Sequence, residues 1–280
     1  MRKRGSVLVM ILWLVSILAI FGMGLAKLSW SAYNFAKWRQ NNFFGLYTVN
    51  SVFLTSKFER KNDITPNYDS LLELAHEEEY KTGDIKVVYS LIDEERKINV
   101  NKVSSSVLKN LPGMDIDIAV KVINSEYRPF VPKEKLLFVE EISKSVFDQI
   151  KDWITVYGQG TVNINTCAEE TLSFLGVEKA MIETIMTFRL GEDNVLYTED
   201  DGVFEFSGEI LNKLKEKFNL TLREEQDLIS LISKNIIGVN SEIYRLEAKV
   251  YAQKKLISEY SIVFGRVKKQ GEFCIKEWSG

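Results

Sequence analysis

Residues Ser6–Ala26 read SVLVMILWLVSILAIFGMGLA, a run of 21 residues without a single charge. A helix needs about 20 apolar residues to cross the hydrocarbon core of a bilayer, so this run predicts a transmembrane helix over residues 6–26. A short basic head, Arg2-Lys3-Arg4, precedes the run. Because basic residues are retained on the cytoplasmic side of a membrane, we expect the N-terminus in the cytoplasm and the remaining residues, about 250, on the opposite side.

The junction between the basic head and the apolar run is Gly5-Ser6. A secretory signal peptide has a shorter apolar core followed by a small-residue cleavage site, and residues 27–40 do not form such a site. The junction instead resembles the type III signal of prepilins and pseudopilins, in which a dedicated peptidase cuts after the glycine and the apolar helix is retained. This resemblance implies that residues 1–5 are a leader and that Ser6 becomes a methylated N-terminus.

The composition excludes several functional classes. The chain has 280 residues and a formal net charge of −3, whereas a dedicated nucleic-acid-binding protein usually has a basic balance or a basic patch. Its two cysteines, Cys167 and Cys274, are too few for a disulfide scaffold or a metal cluster, although one bridge between them stays open. The single histidine, His76, lies in an acidic run and provides no obvious catalytic group. We therefore expect a protein that is not an enzyme.

The helical pattern continues beyond the apolar run. Between residues 27 and 58, apolar side chains recur mostly every three or four positions, and the segment contains no proline. This spacing predicts one helix over residues 6–58, about 80 Å long, whose outer part is amphipathic. Thr65-Pro66 blocks its continuation. A further short helix is predicted over residues 70–79.

Four segments have strand character. Residues 85–92 are rich in β-branched and aromatic side chains between turn residues, and residues 244–250 alternate apolar and charged side chains. Residues 257–267 and 272–278 predict two more strands. Since alternation indicates one buried face, we expect an antiparallel sheet that packs on the long helix.

Between these strands lies a helix-rich block, residues 102–235. The sequence therefore predicts an α+β fold in which residues 27–101 and 236–280 form one helix-and-sheet unit, and residues 102–235 form an inserted all-α domain. The structure is thus expected to divide into five segments, namely 1–5, 6–26, 27–101, 102–235 and 236–280.

The helical block contains an internal repeat. Ile98-Asn99-Val100-Asn101 is matched 64 residues later by Val162-Asn163-Ile164-Asn165. Leu111-Pro112-Gly113-Met114, between two predicted short helices, resembles a helix-hairpin-helix motif, and Gly176 corresponds to Gly113. Such hairpins bind DNA by directing backbone N–H groups at a phosphate. A membrane-tethered DNA-binding or DNA-uptake protein is therefore the alternative hypothesis.

The acidic residues Asp115 and Glu178 oppose that alternative. They occupy the positions where such hairpins normally carry a second glycine, and no cluster of Lys or Arg nearby offsets their charge. We therefore expect no nucleic-acid partner, and we interpret the hairpins as a packing or protein-contact module.

Residues 191–204 form a strongly acidic loop. Carboxylates, amides and carbonyls are the oxygen ligands that calcium prefers, and a cation would relieve the repulsion within the loop. The spacing is not that of an EF-hand, and a solvated acidic turn is the alternative. The predicted calcium ligands are Asp193, Asp200 and Asp201, followed by Asn194 and Glu199.

Together, these features resemble the minor pseudopilin K family of type II secretion systems (GspK). The resemblance is carried by Arg4-Gly5-Ser6, by IDEERKINVN at residues 92–101, by VNINT at residues 162–166, by the acidic loop and by Trp278. Most pseudopilins have a glutamate at the fifth mature position, which is Met10 here, and the K family similarly lacks it. Asn194 departs from the family pattern, because glycine is common at this position.

The resemblance implies a pseudopilin fold with a large helical insertion that binds calcium. It implies a tip subunit that caps the periplasmic pseudopilus and helps to initiate it for protein secretion. The implied partners are other minor pseudopilins, the major pseudopilin and the prepilin peptidase. The implied location is a single pass through the inner membrane, with a periplasmic C-terminal domain. We interpret one set of polar residues as the joint between sheet and insertion: Asp93, Glu94, Lys97, Asn99, Asn101, Asn163 and Asn165.

Overall fold

The computed structural model describes residues 3–74, 76–267 and 272–280. The helices are α1 (Lys3–Lys61), α2 (Ser105–Leu108), α3 (Ile116–Asn124), α4 (Lys144–Ile150), α5 (Glu169–Phe174), α6 (Lys179–Arg189), α7 (Ile210–Lys217) and α8 (Leu222–Ser233). The strands are β1 (Glu78–Thr82), β2 (Ile85–Asp93), β3 (Ile98–Asn99), β4 (Ile154–Thr155), β5 (Val162–Asn163), β6 (Ile237–Gly238), β7 (Ile243–Ala252), β8 (Lys255–Arg266) and β9 (Phe273–Ser279).

Helix α1 is continuous over 59 residues, which corresponds to about 90 Å. The prediction of one uninterrupted helix is confirmed, with its end at Lys61 rather than residue 58. Arg60 and Lys61 lie in the last turn, where positive charge is favourable next to the carbonyl end of a helix. Within the described residues, this is the one helix long and apolar enough to cross a membrane, and its apolar window is entirely unburied.

The main sheet has five antiparallel strands in the order β1-β2-β7-β8-β9. The four predicted strands are confirmed. The helix predicted over residues 70–79 is wrong, because residues 78–82 form β1 at the edge of the sheet. A two-residue turn at Gly83-Asp84, with φ of +57° at Gly83, reverses the chain from β1 into β2. The turn lays residues 78–82 along β2, and backbone pairing with β2 makes this segment a strand.

The first hydrophobic core lies between α1 and the sheet. Val49, Val52 and Phe53 face the sheet, and the ring of Phe53 packs edge-on against Phe264 with 5.3 Å between centroids. Gly45 lets the helix approach closely, because a β-carbon there would lie 2.8 Å from a methyl group of Val250. One face of the outer half of α1 therefore packs against the sheet.

A second hydrophobic core lies within the inserted domain, and its buried members run from Ile98 to Val239. Two short parallel pairs close this domain: β3 pairs with β4, and β5 pairs with β6. The chain leaves the sheet after β2 and returns to it at β7. The predicted fold class is confirmed: a long helix on an antiparallel sheet, with an inserted all-α domain that has its own core.

Candidate functional site

The inserted domain joins the sheet through a buried polar network at the end of β2. The Asp93 carboxylate is almost entirely buried, with 1% of the residue exposed. It accepts hydrogen bonds from the Glu95 backbone N–H (2.7 Å), from Asn163 Nδ2 (3.0 Å) and from Thr166 Oγ1 (2.5 Å). Burial raises the pKa of Asp93, although these donors act in the opposite direction. Asp93 therefore connects the last residue of β2 with the second repeat of the insertion.

Glu94 forms the ionic part of this network. Arg245 on β7 donates to both of its carboxylate oxygens at 2.8 and 2.9 Å, and the Lys97 ammonium lies 3.5 Å away. Thr155 Oγ1, from the inserted domain, donates at 2.9 Å. Burial alone would raise the pKa of Glu94, but the bonds from Arg245 and the charge of Lys97 outweigh it and hold the pKa below its usual value. Glu94 thus binds the sheet and the insertion at once.

Asp69 is a member of this network that the sequence did not single out. Its carboxylate accepts from the Ser241 backbone N–H (2.7 Å), from the Tyr244 hydroxyl (2.9 Å) and from Arg60 at the end of α1 (3.3 Å). Burial and the neighbouring Asp93 raise the pKa of Asp69 to about 7. No local pattern around residue 69 signals this role, because its partners lie far away along the chain.

The repeated Asn-x-Asn motifs have equivalent geometry. The first asparagine of each motif accepts the backbone N–H two residues later, at 2.9 Å for Asn99 and 3.0 Å for Asn163. The second asparagine binds the backbone of a fully buried phenylalanine in both directions. Asn101 binds Phe130, with bonds of 2.8 and 3.3 Å.

Asn165 repeats this arrangement on Phe204, with bonds of 3.0 and 2.9 Å. Both phenylalanine rings are 0% exposed, so their backbone groups have no access to water. The structure therefore places the predicted joint residues in two roles. Asp93, Glu94 and Lys97 lie between the two cores, and the four asparagines organise the two repeats of the insertion.

Each of the two hairpins has an acidic residue at the position expected to receive a phosphate, and the two residues have different partners. Gly113 has φ of +69° and is followed by Asp115, whose carboxylate accepts from the Ile118 N–H at 2.8 Å and so caps α3. In the second hairpin, Glu178 makes an ion pair of 2.5 Å with Arg223. A carboxylate therefore lies at each hairpin where a phosphate would bind, and this arrangement disfavours an anion there.

The carboxylates of the acidic loop accept hydrogen bonds from donors within the same loop. Asp200 accepts from the backbone N–H groups of Glu192 (2.7 Å) and Asp193 (3.0 Å) and from the Thr198 hydroxyl (2.8 Å). These donors, led by Thr198, lower the pKa of Asp200 to about 2. Asp193 accepts from the Val195 N–H at 2.7 Å. The loop is therefore folded around its own acidic side chains.

The predicted calcium ligands do not converge on a common point. Asp201 accepts from the Tyr197 N–H at 2.8 Å, and the Asn194 amide turns back to the Glu192 carbonyl at 3.4 Å. In residues 3–74, 76–267 and 272–280, no group of three or more acidic, histidine or cysteine side chains is arranged to hold a metal ion. As arranged, the loop does not fit a calcium coordination shell, and calcium binding stays a prediction of the sequence.

Two other sequence predictions concern Cys167 and the leader. Cys167 is buried and Cys274 is half-buried, and both are free thiols, so the bridge that the sequence left open is not formed. Burial raises the pKa of the Cys167 thiol to about 11. Gly5 and Ser6 lie within the helical backbone of α1, whereas Met1 and Arg2 of the predicted leader lie outside the described residues. Cleavage between Gly5 and Ser6 stays a prediction.

Comparisons with known proteins point to the same architecture. A family model described as a helix-hairpin-helix motif matches residues 93–155. No curated protein matches the chain in sequence. Among solved structures, the chain is similar to a chain of the GspK-GspI-GspJ complex of the type 2 secretion system from enterotoxigenic Escherichia coli. The TM-score is 0.59 at 10% identity, and the match covers 86% of this chain and 97% of that chain.

This match shows a pseudopilin-like fold. Because residues 94–242, between β2 and β7, make up more than half of the chain, a match over 86% of it includes most of the inserted domain as well as the helix and sheet. The likeness therefore extends to the insertion and is not confined to the helix-on-sheet unit. At 10% identity, it describes the fold alone.

Proposed function

We propose that this chain is a minor pseudopilin of a type II secretion system, of the K type, and a tip subunit that caps the pseudopilus and helps to initiate it. The observation that carries the proposal is the combination of the pseudopilin-like helix and sheet with an inserted all-α domain, matched over 86% of the chain in a complex of GspK, GspI and GspJ. The role is structural, and the protein is not an enzyme.

The exposed face of α1 supports assembly with other helices. Phe43, Tyr47, Leu54 and Phe58 lie on one stripe opposite the face that packs on the sheet, and between 53% and 67% of each is exposed. Solitary soluble proteins rarely expose a continuous apolar stripe of this kind. The partners we propose are the α1 helices of other minor pseudopilins and of the major pseudopilin.

The absence of a glutamate at the fifth mature position, which is Met10 here, resembles the K family and supports the tip position. In a filament, a glutamate at the fifth mature position is thought to pair with the N-terminal amine of a neighbour. A buried amine without such a partner is costly in hydrocarbon. A chain with methionine at this position cannot supply that carboxylate, so it suits a subunit that has no neighbour above it.

Intact mass and N-terminal sequence of the protein from its native membrane test the proposal. We expect a mature chain that begins at Ser6 with a methylated amine, cut by the prepilin peptidase, and a C-terminal domain on the periplasmic side of the inner membrane. A chain that still begins at Met1 in cells with active peptidase contradicts the pseudopilin role.

Co-purification tests the partners. Replacing Leu54 with Glu places a charge in the centre of the exposed stripe, and we expect it to reduce recovery of other pseudopilins more than about tenfold, as for a central interface residue. Thr55→Glu is the matched control, because Thr55 is exposed beside the stripe and not on it. Equal recovery with both variants contradicts the proposed contact.

DNA binding remains the second candidate, because a helix-hairpin-helix family model matches residues 93–155. The carboxylates of Asp115 and Glu178 at both hairpins oppose it. Retention of the protein on duplex DNA, measured as salt is raised, decides between the two. We expect no retention at physiological salt, whereas salt-sensitive retention that Gly113→Asp abolishes supports the DNA-binding alternative.

A further inference from the structure

Positive charge is concentrated in α1. The first acidic residue of the chain is Glu59, whereas Arg2, Lys3, Arg4, Lys27, Lys37, Arg39 and Lys57 all precede it. The whole chain contains 39 acidic and 36 basic residues, so the part that follows has an acidic excess. Such an asymmetry between parts of a chain indicates an anionic partner for the basic part.

Three of these basic residues and three aromatic residues form a group just beyond the apolar run, which we call the collar. Its members are Lys27, Trp30, Tyr33, Lys37, Trp38 and Arg39. The aromatic rings are exposed by 66%, 58% and 53%, and Trp30 contacts Tyr33 with 6.2 Å between centroids. Within the described part of the chain, no ion pair involves Lys27, Lys37 or Arg39.

If the run Ser6–Ala26 spans the hydrocarbon core, Lys27 and Trp30 in the inner part of the collar lie at the height of the lipid headgroups. Lys37 and Arg39 lie farther out, where their charge acts on the headgroups from a distance. At 1.5 Å per residue, Trp30 lies about 6 Å and Lys37 about 17 Å beyond Ala26. The headgroup layer is about 5–8 Å thick on each side. Helical side chains lean toward the N-terminus, which here is the membrane side, and the Debye length of about 8 Å extends the reach of their charge.

The basic side chains surround the helix. At 100° per residue, Lys27, Lys37 and Arg39 point in three directions separated by about 80°, 120° and 160°. A partner helix would contact one stripe of α1, whereas a lipid surface contacts its whole circumference. Asp84 is an acidic residue that lines, together with Lys37, a cleft of about 460 Å³ between α1 and the β1–β2 turn.

We propose that the collar binds the headgroups of anionic phospholipids in the leaflet where α1 leaves the membrane. Trp and Tyr rings favour the interface between hydrocarbon and water, and each Lys or Arg near an anionic surface contributes attraction. The collar would fix the depth of α1 in the membrane. The inference rests on the membrane placement of α1 proposed above and not on the role in secretion.

The test compares the full chain in nanodiscs of phosphatidylcholine alone with nanodiscs that also contain phosphatidylglycerol. After mild detergent extraction, the lipids that remain bound are counted by native mass spectrometry. We expect phosphatidylglycerol to be enriched over phosphatidylcholine by about fivefold or more, as for one basic residue at an anionic surface. The variant Lys27→Gln/Lys37→Gln/Arg39→Gln is expected to reduce this enrichment severalfold. Any contribution of Arg2–Arg4 is the same in both chains and cancels in the comparison.

The matched control is Lys61→Gln/Lys109→Gln/Lys234→Gln, which removes three exposed basic residues far from the membrane and retains the enrichment. Equal amounts of the two lipids on the wild-type chain overturn the proposal, and so does an enrichment that is as large in the collar variant as in the wild type. Loss of an acidic protein partner from the collar variant, without lipid selectivity in the wild type, also overturns it. Failure of the chain to enter neutral nanodiscs contradicts the membrane placement of α1 instead.

Discussion

Asp69 and Asp93 are two carboxylates buried at the same joint, and they reach it from different directions. Asp93 ends β2, whereas Asp69 lies in the connection between α1 and β1. Burial raises the pKa of both side chains, and the charge of Asp93 raises the pKa of Asp69 further. Asp69 accepts hydrogen bonds of 2.7–3.3 Å from Ser241, Tyr244 and Arg60, so its titration makes the joint sensitive to pH.

Asp69→Asn tests this sensitivity. The native pKa of Asp69 is about 7, above the value of about 3.9 in an unfolded chain, so the native state binds more protons between these pH values. The contribution of Asp69 to stability is then largest below about pH 4 and falls as the pH rises to about 7, by up to about 4 kcal/mol. Asparagine does not titrate, so we expect a shallower fall in the free energy of unfolding, measured with urea across this range.

Asp84→Asn is the control for Asp69, because Asp84 is an exposed carboxyl in the β1–β2 turn. We expect it to leave the pH dependence as in the wild type. An Asp69→Asn variant whose stability falls with pH as steeply as that of the wild-type chain contradicts the raised pKa.

Each repeat of the insertion is an element that closes on one buried phenylalanine. An Asn-x-Asn segment begins the repeat, a hairpin with a glycine at positive φ follows, and the second asparagine binds the phenylalanine backbone. Short parallel strand pairs then tie the start of each repeat to a later segment. The duplication is therefore one of hydrogen-bond geometry as well as of sequence.

Asn165→Ala removes the side chain that holds Phe204. The Phe204 N–H and C=O then lose their partners while they remain buried, so we expect a loss of about 2–4 kcal/mol in the free energy of unfolding. Asn110→Ala is the control, because its exposed side chain makes one bond of 2.9 Å to the Phe174 carbonyl. Equal losses in urea unfolding for the two variants contradict the proposed role of the asparagine.

The acidic loop is an element whose sequence and geometry lead to different expectations. Asp200→Asn separates them, since Asp200 accepts three bonds inside the loop without a metal. We expect the variant to unfold at a lower temperature than the wild type in EDTA. Because the pKa of Asp200 is lowered to about 2, this difference is present above about pH 4 and disappears toward pH 2.

The same thermal scans in calcium test the prediction made from the sequence. A difference between Asp200→Asn and the wild type that exists only in calcium contradicts the internal role of Asp200 and supports a calcium site. Asp227→Asn is the control, because its carboxyl is exposed on α8 outside the loop.

At the scale of the whole molecule, the described residues form two hydrophobic cores, and a polar joint connects them. One core lies between α1 and the sheet, and the other runs from Ile98 to Val239 in the insertion. Glu94 is shared between them through Arg245 and Thr155. Polar contacts, rather than one continuous apolar core, thus connect the insertion with the helix-and-sheet unit.

Glu94→Gln removes the buried anion that pairs with both Arg245 and Lys97, and breaking such a buried pair costs about 3–5 kcal/mol. We expect calorimetry to show two unfolding transitions instead of one, because each core closes on itself. Glu141→Gln breaks the exposed pair with Lys121 and is expected to cost at most about 1 kcal/mol. A single transition with a small shift in Glu94→Gln contradicts the coupling role.

The local features of this protein were determined by its sequence. An uncharged run, a spacing of three or four and alternating strands are properties of neighbouring residues, so α1, β2, β7, β8 and β9 could be predicted, and so could the repeated asparagines and the two hairpins. These signals depend on periodicity and turn residues, which act within a few positions.

Only the tertiary structure decided where the polar groups meet. Ser241 and Tyr244 reach Asp69 across more than 170 positions. β1 pairs with the free edge of β2, whose other edge pairs with β7, and the carboxylates of the acidic loop turn inward to backbone N–H groups. The physical reason is that burial and pairing depend on chain segments brought together by folding, so no local pattern around Asp69 or β1 could indicate their partners.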